Sequence, residues 1–232
     1  MNSVFLPTEA YQEVKRGCDD LLASIYGVDQ QSVTAPAGFG KTTIAQRIAT
    51  ITPQAVYVRH QERLTHIGLL REVTFAVAGA RPRGNDACFS LIEEQLARER
   101  RLILIDEADR LSLRHLNVVR DLHDVCRVPV CLFGEEGLRA KLAEERRLAS
   151  RIRQEIRLSP LGQADLILLY EKALEQRISP EYAAALTRHA AGNFRAVILD
   201  ALAIERRMLA SGIEKITAEM VREVCNGTRP KR

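Results

Sequence analysis

The run Ala35-Pro36-Ala37-Gly38-Phe39-Gly40-Lys41-Thr42 constrains this chain more than any other. It follows a short β-rich stretch, QSVTA (31–35), and leads into TTIAQRIAT, whose pattern is helical. A strand, a glycine-containing loop and a helix opening on Lys-Thr make a cradle for phosphate: backbone N–H groups and the positive helix end point at the same anion. Gly38 and Gly40 let the backbone turn toward phosphate oxygens. Lys41 is expected to reach the β- and γ-phosphates, and Thr42 to place its hydroxyl on Mg²⁺. Ala37, Phe39 and Thr43 complete the expected nucleotide-binding set. The pattern G-x-x-x-x-G-K-[ST] is met except at its first glycine, where Ala35 stands at the start of the turn.

A second feature fits the first. LILID (102–106) is an apolar run short enough to be a buried parallel strand, and it ends in Asp106-Glu107. At the carboxyl end of such a strand these acids would lie beside the phosphate loop. Asp106 is expected to hold Mg²⁺, through water or Thr42. Glu107 is expected to orient and deprotonate the water that attacks ATP. The letters D-E-A-D at 106–109 do not make a helicase. The 232 residues scarcely allow two tandem motor domains, no HRxGR segment occurs, and Asp109 is expected to open the following helix.

Strand and helix patterns alternate from 31 to 158, which predicts an α/β core with a parallel sheet covered by helices on both faces. Strands are expected at 31–35, 55–59, 102–106, 128–134 and 154–158. Helices are expected at 61–79, 90–101, 113–126 and 137–150, with 81–86 (RPRGND) as a polar loop. Only helical patterns follow Pro160, at 163–176, 180–191, 194–211 and 217–225. The expected division is an N-terminal helical segment over 1–30, packing on the core; the core over 31–158; a small all-helical lid over 159–225; and a basic tail over 226–232. In the first segment Thr8 is read as a cap, Val14, Cys18, Leu21, Leu22 and Ile25 as the apolar stripe, and Gly27 as the stop.

Composition narrows the class. Five cysteines without a CxxC pair, in a chain this long, argue against a disulfide framework and against zinc. Cys126 and Cys131 flank a strand pattern and read as core thiols. No apolar run is long enough for a membrane span and no signal sequence is evident, so a cytoplasmic protein of a bacterial host is expected, without a membrane partner.

Together, the phosphate loop, IDEADRL, the strand VPVCLFGEEGL, the segment ASRIRQEIRLSPL and the later GNFR resemble the AAA+ P-loop ATPases. Within that class they are similar to the transposition ATPases, the group of the phage Mu target DNA activator and its transposon relatives. The resemblance covers roughly residues 30–200. It implies a phage or transposon protein that binds ATP, self-associates on double-stranded DNA as a helical filament or ring, and presents that DNA to a DDE transposase. Hydrolysis would then disassemble the filament. By the same resemblance Arg151 stands where an arginine finger reaches a neighbour's ATP, and Arg195 where a second sensor meets the γ-phosphate. The first-sensor position carries Gly134-Glu135 instead of a small neutral polar residue, which implies slow hydrolysis stimulated by DNA or a partner.

Two stretches are basic. Residues 59–83 carry five arginines against two glutamates, and residues 139–157 carry seven basic against three acidic residues. Arg59, Arg63, Arg81 and Arg83 are the expected phosphate contacts to duplex DNA, giving salt-sensitive and largely sequence-neutral binding. The chain starts almost at the core, so any DNA contact is expected from the core itself. Other readings share this core: a replicative helicase loader or replication initiator, a secretion-linked ATPase, and a nucleotide-binding scaffold with negligible turnover.

Overall fold

The computed structural model describes residues 4–24 and 29–227. In chain order the elements are α1 (Glu9–Ala23), β1 (Gln30–Thr34), α2 (Lys41–Ile51), β2 (Ala55–Arg59), α3 (His66–Ala78), α4 (Asn85–Arg98), β3 (Leu102–Asp106), α5 (Leu113–Cys126), β4 (Val130–Gly134), α6 (Gly137–Glu144), α7 (Arg146–Ala149), β5 (Ile152–Arg157), α8 (Gln163–Leu174), α9 (Pro180–Ala190), α10 (Phe194–Ser211) and α11 (Ala218–Asn226). The expected stop at Gly27, the apolar position Ile25 and the tail beyond Gly227 lie outside the described residues.

The five strands form one parallel sheet in the order β2-β3-β4-β1-β5. Every residue of β1, β3 and β4 is buried. Successive strand side chains point to opposite faces, so complete burial means that both faces are covered. β3 and β4 meet this with Leu, Ile, Val, Cys and Phe. β1 does so with Gln30 and Gln31, whose fully buried side-chain amides have no partner among the described residues. The phosphate-loop strand β1 and the acidic strand β3 are not neighbours, because β4 lies between them.

The chain forms two compact units. One comprises Ala10–Pro36 and Lys41–Leu158 and contains the sheet. The other comprises Met1–Glu9, Ala37–Gly40 and Ser159–Arg232 and contains the last four helices. The N-terminal segment, expected as one piece on the core, is thus shared between units at Glu9/Ala10. The sheet unit's core includes Leu69, Leu70, Ile92, Ile103, Ile105, Leu116 and Leu122. The helical unit has its own core, in which Leu6 joins Leu166, Tyr170, Leu186, Val197, Ile204 and Val221.

Several boundaries differ from expectation for identifiable reasons. α3 begins at His66 instead of 61, because Thr65 Oγ1 accepts a hydrogen bond from Gly68 N and fixes the start. α4 begins at Asn85, inside the stretch expected as loop, with Asp86 in its first turn, where an acid favours the helix. Residues 137–150 form two helices, broken at Glu145. Asp109 does not open α5. It lies in a 3-10 turn, Ala108–Arg110, and α5 starts after Ser112 with a reciprocal Ser112–His115 cap.

Candidate nucleotide-binding site

The loop after β1 has the backbone that its glycines allow. Gly38 and Gly40 sit at φ 85° and 87°, in the left-handed region that L side chains rarely adopt. Ala35, the departure from the glycine pattern, is fully buried and has no positive φ, so a methyl costs nothing there. Lys41 opens α2 and folds back on the loop: Nζ donates to Ala35 O at 2.7 Å and to Pro36 O at 3.0 Å. Burial holds its ammonium below the ordinary lysine range, while the carboxylates of Glu135, Asp109, Asp106 and Glu107 pull the other way. Thr42 is half-buried and Thr43 exposed at the start of the same helix.

The end of β3 brings two carboxylates into contrasting settings. Asp106 is 1% exposed. Its Oδ2 accepts from the Tyr57 hydroxyl at 2.7 Å and its Oδ1 from Glu107 N at 3.0 Å. Burial, and then this hydrogen bond, pushes the Tyr57 hydroxyl well above its ordinary range, so it remains a donor. Glu107 takes a left-handed conformation (φ 60°, ψ 35°), uncommon for a residue with a side chain. Its carboxylate is held on both oxygens, by Arg59 Nη2 at 3.1 Å and Arg110 Nε at 3.2 Å. The parallel register that pairs Arg59 with Asp106 brings these groups together.

Glu135, at the position where a first sensor was expected, is exposed, and its N donates to Asp109 Oδ1 at 3.0 Å. Gly134 lets Asp109 approach: a Cβ at residue 134 would lie 2.8 Å from Asp109 N. Within the helical unit, Asn193 caps α10 by accepting from Ala196 N. It also donates through Nδ2 to Ala37 O at 2.8 Å, and Arg195 N donates to Gly38 O at 3.0 Å.

The remaining expected residues are placed as follows. Arg151 stands just before β5, with its guanidinium turned to Asp124 on α5. Arg63 Nε bonds Gln61 Oε1 at 2.8 Å. Arg81 makes a two-point pair with Glu72 and lies 3.6 Å over the Phe75 ring. Arg83 is exposed. Tyr57, Arg110, Asp124 and Asn193 were not singled out as site residues by the sequence, and Asp109 was read only as the start of a helix. Only Asn193 carried a local signal, as a capping residue before a helical pattern. Among the described residues, no helix is long and apolar enough to cross a membrane.

The loop residues fit a nucleotide phosphate chain on this geometry. The backbone is open at Gly40, with nothing within 4 Å of a Cβ built there, and among the described residues the adjoining lysine's hydrogen bonds go to the loop carbonyls of Ala35 and Pro36. Thr42 and the buried Asp106 are the oxygen donors of the kind Mg²⁺ takes.

Known proteins agree with this architecture. Residues 31–142 match the family model of an AAA domain. A Staphylococcus aureus protein described as a potential ATP-binding protein is 30% identical over 129 residues, which is 52% of this chain and 48% of that protein. The chain therefore spans about half the length of this curated relative. Among solved structures, Cdc6p from Pyrobaculum aerophilum superposes with a TM-score of 0.72 at 15% identity, over 96% of this chain and 69% of that one. The ORC2 protein of Aeropyrum pernix gives 0.70 at 15% identity, over 99% and 70%. The Thermotoga maritima RuvB Holliday junction branch migration motor gives 0.64 at 16% identity, over 93% and 67%. At these identities the likeness is one of fold. Residues 31–142 are thus similar to an AAA domain, and the chain has the AAA+ P-loop fold, a parallel five-stranded sheet with helices and a helical C-terminal part.

Proposed function

We propose that this protein is an ATP-driven switch that binds double-stranded DNA without strong sequence preference, self-associates on it, and delivers it to a DDE transposase. The observation that carries the ATP part is Lys41 folded back on the carbonyls of Ala35 and Pro36, in the same unit as a buried Asp106 and a Glu107 in left-handed conformation. Lys41 and the loop N–H groups bind the phosphates. Thr42 and Asp106 would hold Mg²⁺, which would screen the phosphate charge. Glu107 takes a proton from the attacking water once its arginine partners release it. Arg195 and Arg151 act on the γ-phosphate, the first from the same chain and the second from a neighbour. The name of the curated relative supports ATP as the nucleotide.

The DNA part rests on the arginines of 59–83. Arg83 is exposed, and Arg59 and Arg63 are exposed as well, so their charges reach solvent. Arg81 is more tied down, by Glu72 and Phe75. A replication initiator or helicase loader is the second reading, favoured by the fold shared with the Cdc6p and ORC2 structures. Electron microscopy on random-sequence duplex DNA separates the two. Continuous filaments or stacked rings only with ATP support the transposition reading. No DNA-bound assembly in ATP, ADP or nucleotide-free buffer contradicts it.

A further inference from the structure

Arg151 is fully engaged within its own protomer. Nε and Nη2 each donate to Asp124 at 2.6 Å, and Nη1 donates to the Arg147 carbonyl. This is a two-point guanidinium–carboxylate fork, the geometry that gives such pairs both strength and direction. Asp124 is an odd residue for its position. It lies in the last turn of α5, at the negative end of the helix, where an acid opposes the helix dipole. Arg151 answers that cost: its hydrogen bond is the main reason the Asp124 carboxyl is held below the ordinary range, against the opposing effect of burial and with a smaller contribution from His123. The backbone around Arg151 is fixed as well, since Arg151 N donates to Leu148 O and Arg151 O accepts from Gln30 N. The side chain can therefore leave Asp124 without moving the start of β5. Both partners keep access to solvent, at 26% and 35% exposure, so exchange does not require unfolding.

We propose that Asp124 is a positioning residue that holds Arg151 at rest and yields it only when a neighbouring protomer's nucleotide offers a competing phosphate. Asp124 then sets the protein concentration at which assembly-dependent turnover begins. This rests on the reading of Arg151 as a finger acting in trans. The competition is direct, because one guanidinium fork cannot serve two anions. Weakening the resting pair must lower the concentration needed for assembly, while the rate of the fully assembled protein stays as it was.

The test is ATP turnover as a function of protein concentration for the wild type, Asp124→Asn, Asp124→Glu and Arg151→Ala, each checked for the wild-type melting temperature within a few degrees. Concentration-dependent turnover that Arg151→Ala abolishes establishes the finger. Given that, Asp124→Asn is expected to shift the half-maximal concentration down by about threefold to tenfold, the range for losing a partly exposed charged pair, with the plateau rate unchanged. Asp124→Glu is expected to return most of the shift. An unchanged or higher half-maximal concentration in Asp124→Asn, or a lower plateau, overturns the proposal and leaves the finger standing. Turnover independent of concentration, or unaffected by Arg151→Ala, removes the finger and the latch with it.

Discussion

Arg59 Nη2 lies 3.1 Å from Glu107 Oε1, and Arg110 Nε holds the opposite oxygen at 3.2 Å. The residue expected to activate water is thus tied to a residue expected to touch DNA. A DNA phosphate competing for Arg59 would loosen Glu107. Arg59→Ala should therefore raise turnover without DNA by about twofold to fivefold, the kinetic equivalent of a surface ion pair worth up to ~1 kcal/mol. It should also flatten the response to DNA. Steady-state turnover with and without duplex checks this; unchanged basal turnover contradicts it.

Tyr57→Phe removes the hydroxyl that donates to the buried Asp106. An unmet buried carboxylate acceptor costs about 1–3 kcal/mol, and a chain of this size loses about 2–4 °C of melting temperature per kcal/mol. A fall of several degrees is expected in the absence of nucleotide. No change in melting temperature would show that the bond contributes nothing.

Two glycine substitutions should differ in severity. Gly40→Ala meets open space and bears only its left-handed φ, a cost of about 1–2 kcal/mol. Gly38→Ala bears the same strain and also places Cβ 2.4 Å from Asn193 Oδ1. Titration with a fluorescent ATP analogue should show the weaker binding in Gly38→Ala, by tenfold or more relative to wild type. Equal affinities in the two variants contradict the assigned loop contacts.

His60 is 4% exposed, and its Nδ1 has no partner among the described residues. Burial holds its imidazole below the ordinary range, helped by His115 and Arg110. The unfolded chain then binds more protons than the folded one, so stability falls as pH drops through the ordinary imidazole value of about 6.5. Denaturant midpoints between pH 7.5 and 5.5 should decline in the wild type and decline less in His60→Asn. Identical slopes would remove His60 as the source.

The sequence made the fold legible where apolar runs and caps agree. LILID was short and apolar enough to be a buried parallel strand, and the structure places that strand at 102–106. The helical pattern over 194–211 is matched by α10, which Asn193 caps and Gly212 ends. The start of α4 was hidden because Asn85 and Asp86 serve loops and helix first turns equally well. The buried glutamines of β1 read as surface residues by polarity alone. The phosphate loop was legible because its chemistry is contiguous. The partners of Glu107 and Arg151 were not, because Arg59 is 48 positions and Asp124 is 27 positions away in sequence, and only the sheet register and the packing of α5 bring them near.

The most direct test of the central claim is the affinity for labelled random-sequence duplex DNA, read by fluorescence anisotropy in a slowly hydrolysed ATP analogue, in ADP and without nucleotide, for the wild type and Lys41→Ala. Tight binding is expected with the ATP analogue only, weakened by added salt and lost in Lys41→Ala. DNA affinity that is the same in all three nucleotide conditions, or unchanged in Lys41→Ala, would contradict an ATP-controlled DNA switch.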